Sequence, residues 1–295
     1  MDLQQFKLAI PKYTAKTMKI LEGQTDLKEI MKDVHASDFK EFIIDYVKST
    51  TLFTGGHVAA VRNPESYNAN EAGKWSQIFG KSRGSVGEAL FNHFPDSWTE
   101  QPEKEDYEKS RLLMLYLSKE PVYEVKYPAL YRGLNTVPPN VFLDLCRPGA
   151  EYSIGDIVSA STQQAVAGYF SNDGFRYKII YLISNPKGLG SPIHNASIYS
   201  HESEVVIGGK IKITGFKFAP DLSDARGIAK LGQSKVNSDL AEIMERIEKS
   251  KLIKDFDQLI TFVQDIETLA DYGVSKNYPK DYIQVGFAYV EAELL

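Results

Sequence analysis

Two carboxylates one residue apart, Glu202 and Glu204, flank Ser203. In an extended segment, alternation would send both side chains to one face. Like charges held that close repel, so the pair costs stability unless cations or donors converge on it. A site that receives two cationic groups in turn would use such a pair. An oxocarbenium-like sugar and a guanidinium are the candidates. Arg132, in Leu130-Tyr131-Arg132-Gly133-Leu134, and Ser159, in Ser159-Ala160-Ser161-Thr162, stand in similar short segments. Taken singly, each has a plainer role: a strand arginine pairs with a carboxylate, and serines cap the helix that follows.

Other chemistries lack their residues. The chain has no G-x-S-x-G and no H-E-x-x-H, and its five histidines are scattered without metal-ligand spacing. Gly80-Lys81-Ser82 resembles the end of a phosphate loop, but Trp75 occupies the place of its first glycine. No strand-like segment is followed by G-x-G-x-x-G, which argues against a Rossmann dinucleotide site. Cys146 is the single cysteine, so neither an internal disulfide nor a thiolate zinc site can form.

The elements that must position these residues are read from periodicity. Residues 38–50 place Phe39, Phe42, Ile43, Tyr46 and Val47 on one helical face, with Ser37 as the N-cap. A short helix is expected over 107–118. Between them, 62–73 and 95–106 read as polar loop. The middle third changes to short β-branched and aromatic runs at 122–127, 129–134, 156–161, 177–183, 204–209 and 210–218. A two-turn helix fits between the third and fourth of these. Leu240, Ile243, Met244 and Ile247 then recur at helical spacing after Ser238. Phe256, Leu259, Val263, Ile266 and Ala270 mark a second helix that Gly273 could close. Residues 282–294 alternate as a last strand. Domain boundaries are expected as a mostly helical lobe or domain over 1–120 and a catalytic domain over 121–295, with its helical segment at about 236–272.

In this setting the sequence resembles the arginine–serine–glutamate class of mono-ADP-ribosyltransferases, which takes in bacterial toxins, vertebrate ecto-enzymes and transferases carried by phages. The resemblance covers about residues 125 to 218. Arg132 in LYRGL matches the class's first motif. Ser159-Ala160-Ser161 matches its Ser-Thr-Ser motif, with Ala160 in place of threonine, followed in register by Val166, Ala167 and Phe170. Pro186-Lys187-Gly188 follows the next strand, and Tyr199-Ser200-His201 leads into Glu202-Ser203-Glu204.

The resemblance implies an α+β fold: a mixed β-sandwich core with a helical N-terminal lobe and a C-terminal helical insertion before the last strand. It implies transfer of ADP-ribose from NAD+ to an arginine of a target protein, with release of nicotinamide and no metal. Glu204 would bond the ribose 2′-hydroxyl and gain value as positive charge develops on the sugar. Ser159 would orient Glu204, and Arg132 would grip the NAD+ phosphates with its fork. The Gly133 backbone would meet the nicotinamide amide, and Phe170 or Phe175 would stack on the nicotinamide or ribose. Glu202 would hold the acceptor guanidinium and Tyr199 would touch the acceptor protein. Two other functions use the same residues: NAD+ glycohydrolysis, and an NAD-binding adaptor without catalysis.

Composition sets the outer limits. Hydrophobic residues make up 43% and charged residues 25% of 295, enough apolar material for a core without disulfide staples. A net charge of −5 argues against non-specific nucleic-acid binding, which needs a positive field. No apolar run approaches a bilayer span, and the N-terminus lacks the apolar core of a secretory signal. The expectation is a monomer with no membrane association, acting in the cytoplasm of its own or a host cell, delivered in the latter case by phage or a secretion system.

Overall fold

The computed structural model describes residues 1–23, 31–32, 34–35, 37–67, 102–119, 127–136, 138–172, 176–194, 196, 199–232, 238–273 and 283–295. The strand expected at 122–127 (apart from Tyr127) and Phe175 lie outside these residues. The chain divides into two compact units. One comprises residues 1–127, 154–159 and 187–209. The other comprises 128–153, 160–186 and 210–295.

In the first unit, α1 (Leu3–Gly23), α2 (Ser37–Thr54), α3 (Val58–Arg62) and α4 (Lys104–Lys119) are helical. The helix read from Phe39, Phe42, Ile43, Tyr46 and Val47 is present, and all five side chains are buried. Asp2 caps α1: its Oδ1 accepts the Gln5 amide at 2.8 Å while the Gln5 side chain accepts the Asp2 amide at 3.1 Å. The core includes Phe6, Ile10, Phe42, Tyr46, Leu113 and Leu117 together with Ile157, Ile193, Ala196 and Val206. Helical residues from the first third and β-residues from the middle third therefore share one apolar cluster. Burial of that surface is what holds short strand segments such as 154–159 in place.

The second unit contains β1 (Ala129–Thr136), α5 (Pro139–Cys146), α6 (Gln164–Phe170) and β3 (Tyr177–Ser184). It also contains α7 (Ser223–Gly232), α8 (Ser238–Lys249), α9 (Phe256–Gly273) and β6 (Gly286–Leu294). β1 pairs antiparallel with β3, Arg132 lying opposite Tyr181, and β3 pairs parallel with β6. Parallel neighbours need a long crossover, and α7, α8 and α9 lie between them in sequence. In β6, Ala288, Val290, Ala292 and Leu294 alternate into the core. In α9, Leu259, Val263, Ile266 and Ala270 are buried as the periodicity predicts. In α8, Ile247 is fully buried but Ile243 and Met244 only partly.

Two strands run through residues of both units: β2 (Glu151–Ser161) and β5 (Glu204–Pro220). With β4 (Ser191–Pro192), the strands described pair in the order β2-β1-β3-β6-β5-β4, and β2 also pairs with β5. The fold is α+β with a mixed sheet, as expected. Residues 204–209 and 210–218, read from sequence as separate strands, form one continuous strand. The reason lies at Gly208, where a Cβ would come within 2.2 Å of the Asp156 carbonyl oxygen. Gly208 marks a close approach of two backbones, where a turn was expected. The helices over 139–146 and 223–232 have no counterpart in the sequence reading.

Candidate active site

β2 and β5 position two of the residues singled out by the sequence, both in the first unit. Ser159 lies near the end of β2 and Glu204 is the first residue of β5. The Ser159 hydroxyl donates a short hydrogen bond to Glu204 Oε1. Glu204 is only 5% exposed, so its carboxylate has little water around it. A hydrogen bond to a largely dehydrated carboxylate is stronger than one in solvent and fixes its direction. Arg62, at the end of α3, donates from Nε to the Ile157 carbonyl at 2.9 Å, tying a helix to β2 two residues before Ser159. On the other side of Glu204, the Ile193 amide donates to the Glu204 carbonyl at 3.0 Å.

Glu202 sits differently from the expectation of two acids on one strand face. Ser200–Glu202 is a turn of 3₁₀ helix, closed by the Glu202 amide on the Tyr199 carbonyl at 2.9 Å. Ser203 then has φ +47°, the one non-glycine residue with positive φ among the described residues. That left-handed step reverses the backbone before β5 begins, so strand alternation does not relate Glu202 to Glu204. A left-handed serine is strained, and such strain collects at functional sites. Glu202 is partly buried, and burial raises its carboxyl above the usual range, with the nearby His201 opposing that shift. Tyr199 and His201 pack edge to face with centroids 6.2 Å apart. Tyr199, His201 and Glu202 thus form one local surface.

His194 is a residue the sequence reading passed over. It follows the short strand β4, and among the described residues its buried Nδ1 has no hydrogen-bond partner. Burial lowers its pKa, while the backbone of Glu204 acts in the opposite direction. The signal in sequence was only a histidine ten residues before a glutamate, which singles out nothing.

In the second unit, Arg132 is half-buried in the middle of β1. Its charge lowers the pKa of Tyr181, although burial wins and raises that phenol overall. Gly133 has a specific packing reason: a Cβ there would lie 1.9 Å from the Ala167 carbonyl oxygen and 2.9 Å from the Ser171 amide. Only glycine lets α6 rest its backbone on β1. Phe170 ends α6 at 44% exposure and meets Tyr169 edge to face at 5.6 Å. Ser161 accepts the Gln163 amide at 2.9 Å and so serves the turn into α6. Among the described residues, no group of three or more His, Cys, Asp and Glu side chains could hold a metal ion. No helix of the described residues is long and apolar enough to cross a membrane.

No protein-family model matches the chain, and no curated protein does. Among solved structures, the chain is similar to the ATR domain of Salmonella SpvB, at 13% identity and TM-score 0.37, covering 85% of this chain and 98% of that one. It is similar to the catalytic domain of VsdC from Aeromonas hydrophila, at 13% identity and TM-score 0.35, with 85% and 100% covered. It is also similar to the ADP-ribosyltransferase Vis in complex with agmatine, at 13% identity and TM-score 0.34, with 94% and 90% covered. Vis comes from Vibrio splendidus.

Proposed function

We propose that the chain cleaves the nicotinamide–ribose bond of NAD+ and transfers ADP-ribose to an arginine side chain of a target protein. The observation that carries the reading is the Ser159–Glu204 hydrogen bond at the start of β5, in a chain whose sequence also supplies Arg132 and Glu202 in matching order. Nicotinamide leaves as a neutral group, so the barrier is the positive charge growing on the ribose. A carboxylate in a dry, fixed position stabilises that charge more than it stabilises the ground state. Glu204 is such a carboxylate, bonding the ribose 2′-hydroxyl, and Ser159 is its positioning residue. Arg132 holds the NAD+ phosphates. Gly133 receives the nicotinamide amide on its backbone, and Phe170 stacks on the nicotinamide or ribose. NAD+ is the second substrate, and no metal takes part.

Glu202 decides the acceptor in this proposal. Its partly buried carboxylate pairs with the incoming guanidinium and takes its proton as the new N–C bond forms. Arginine is too basic to be deprotonated beforehand, so proton loss and attack are concerted. Tyr199 meets the acceptor protein. Hydrolysis of NAD+ needs Glu204 but has no use for Glu202, and that difference separates transfer from glycohydrolysis.

Incubation with labelled NAD+ and a protein mixture, alongside agmatine as a small guanidinium acceptor, tests the reading. Glu204→Ala is expected to lower both nicotinamide release and transfer by roughly 10²–10³-fold. Glu202→Ala is expected to keep nicotinamide release and lose transfer. Equal loss of both activities in Glu202→Ala would refute the division of labour, and free ADP-ribose as the sole product of the wild-type chain would make it a glycohydrolase.

A further inference from the structure

The charged groups around α3 and α4 are mostly paired. Glu65 meets Lys104 at 2.7 Å, Asp106 meets Lys48 at 2.9 Å, and Asp45 and Glu105 meet Lys109 at 3.2 and 3.4 Å. Two arginines stand outside this pattern. Among the described residues, neither Arg62 nor Arg111 has a carboxylate within ion-pair distance. Each is instead tethered by one N–H. Arg62 Nε bonds the Ile157 carbonyl of β2, and Arg111 Nη1 bonds the backbone carbonyl of Arg62 itself. Arg111 is thus tied to the backbone of Arg62 at the point where α3 bonds the strand that carries Ser159. Partial desolvation lowers the Arg62 pKa, and no carboxylate offsets it.

The Nε tether fixes the plane of the Arg62 fork while leaving its terminal N–H groups available, the arrangement that suits bidentate binding of a phosphate. The tether point is two strand residues from Ser159, roughly 7 Å along the strand.

We propose that Arg62, backed by Arg111, is a phosphate-binding residue that holds an NAD+ phosphate beside the Ser159–Glu204 pair. This rests on the proposed NAD+ chemistry. The site takes a dianionic pyrophosphate ester, and Arg111 adds charge and holds the backbone from which Arg62 projects. Nothing covalent happens at Arg62, so its contribution belongs to binding.

Kinetics on Arg62→Gln, Arg62→Lys and Arg111→Gln, with calorimetric titration of ADP-ribose, test the proposal on the full chain. Arg62→Gln is expected to raise the KM for NAD+ and weaken ADP-ribose binding by at least about tenfold, with kcat for nicotinamide release nearly unchanged. Arg62→Lys should recover only part of the loss, because an ammonium lacks the fork. Arg111→Gln should give a smaller rise in KM. A purely structural tie of α3 to β2 would instead lower the melting temperature and kcat together while leaving ADP-ribose affinity per folded molecule unchanged, which would overturn the proposal. So would a change confined to the KM for the protein acceptor. If the wild-type chain cleaves NAD+ but Arg62→Gln leaves KM and ADP-ribose binding unchanged, this inference alone falls. If the wild-type chain neither cleaves NAD+ nor binds ADP-ribose, the proposed function falls with it.

Discussion

The turn from Tyr199 to Glu202 brings a histidine and a partly buried carboxylate together, and their charges are linked. Burial raises the Glu202 pKa and His201 lowers it, with burial the larger effect. In the proposed reaction transfer requires ionised Glu202, so it should fade as pH falls through that raised value. The charge on His201 is what opposes that rise. Removing it takes away a charge that favours the carboxylate. His201→Ala is therefore expected to move the acid limb of the transferase pH profile to higher pH, leaving the profile of nicotinamide release in place. A profile unchanged for both activities would refute the link. At this scale the sequence was legible in its residue types and blind to their geometry. Ser159 and Ser161 look alike in Ser-Ala-Ser, yet one bonds Glu204 and the other the Gln163 amide. Strand alternation gives the two serines the same face; they differ because Ser161 is the last residue of β2, at the turn into α6, whereas Ser159 lies against the start of β5, a tertiary placement that no local pattern records. The left-handed Ser203 was equally invisible, because serine does not advertise positive φ as glycine does.

Among elements, the strands of the second unit show where periodicity succeeds and where it stops. β6 alternates cleanly and α9 repeats every three to four residues, so both were read correctly from apolar spacing alone. α5 was missed because an eight-residue helix opening after Pro138 offers barely two turns of pattern. β5 was split in two because Gly208-Gly209 resembles a turn, whereas Gly208 serves the backbone contact with Asp156 and Gly209 takes a φ of +111° within the strand. The packing of α6 on β1 follows the same rule. Gly133 leaves no room for a side chain between the strand and the Ala167 carbonyl, 1.9 Å from an added Cβ. That oxygen belongs to a helix backbone and cannot swing aside like a flexible side chain, so the helix would have to move. Gly133→Ala is expected to cost about 1–3 kcal/mol of stability, as overpacked sites do. It should also raise the KM for NAD+, since Arg132 is its direct neighbour in sequence and Phe170 ends the displaced helix. Equilibrium urea denaturation and NAD+ kinetics would check both, and a variant as stable as the wild type would mean that α6 moves freely.

For the molecule as a whole, the open matter is the status of residues 1–120, which the sequence presents either as a separate domain or as support for the site. Composition does not distinguish these, because both alternatives are helical and of ordinary hydrophobicity. The apolar cluster bears on it directly. Phe6, Ile10, Phe42, Tyr46, Leu113 and Leu117 share that cluster with Ile157, which lies two residues before Ser159, and with Val206, which lies two residues after Glu204. Arg62 adds a polar tie to the same strand through the Ile157 carbonyl, and Thr50 Oγ1 reaches the Ala196 carbonyl at 3.4 Å. We propose that the helices of the first third and the Ser159–Glu204 pair form one folding unit, so that the domain boundary near residue 120 does not separate independent bodies. A fragment of residues 121–295 would leave Ile157, Ile193 and Val206 in water. Each fully buried side chain of this kind stabilises by roughly 1.5–3 kcal/mol, a sizeable part of the 5–15 kcal/mol that a domain has in total. The fragment is therefore expected to show lost near-ultraviolet circular dichroism, weak protection of the amides of β2 and early β5 in hydrogen exchange, and no nicotinamide release. A cooperative, NAD+-cleaving fragment would instead establish the helical third as a domain of its own, leaving the carboxylate at Glu204 to be held by Ser159 without help from beneath.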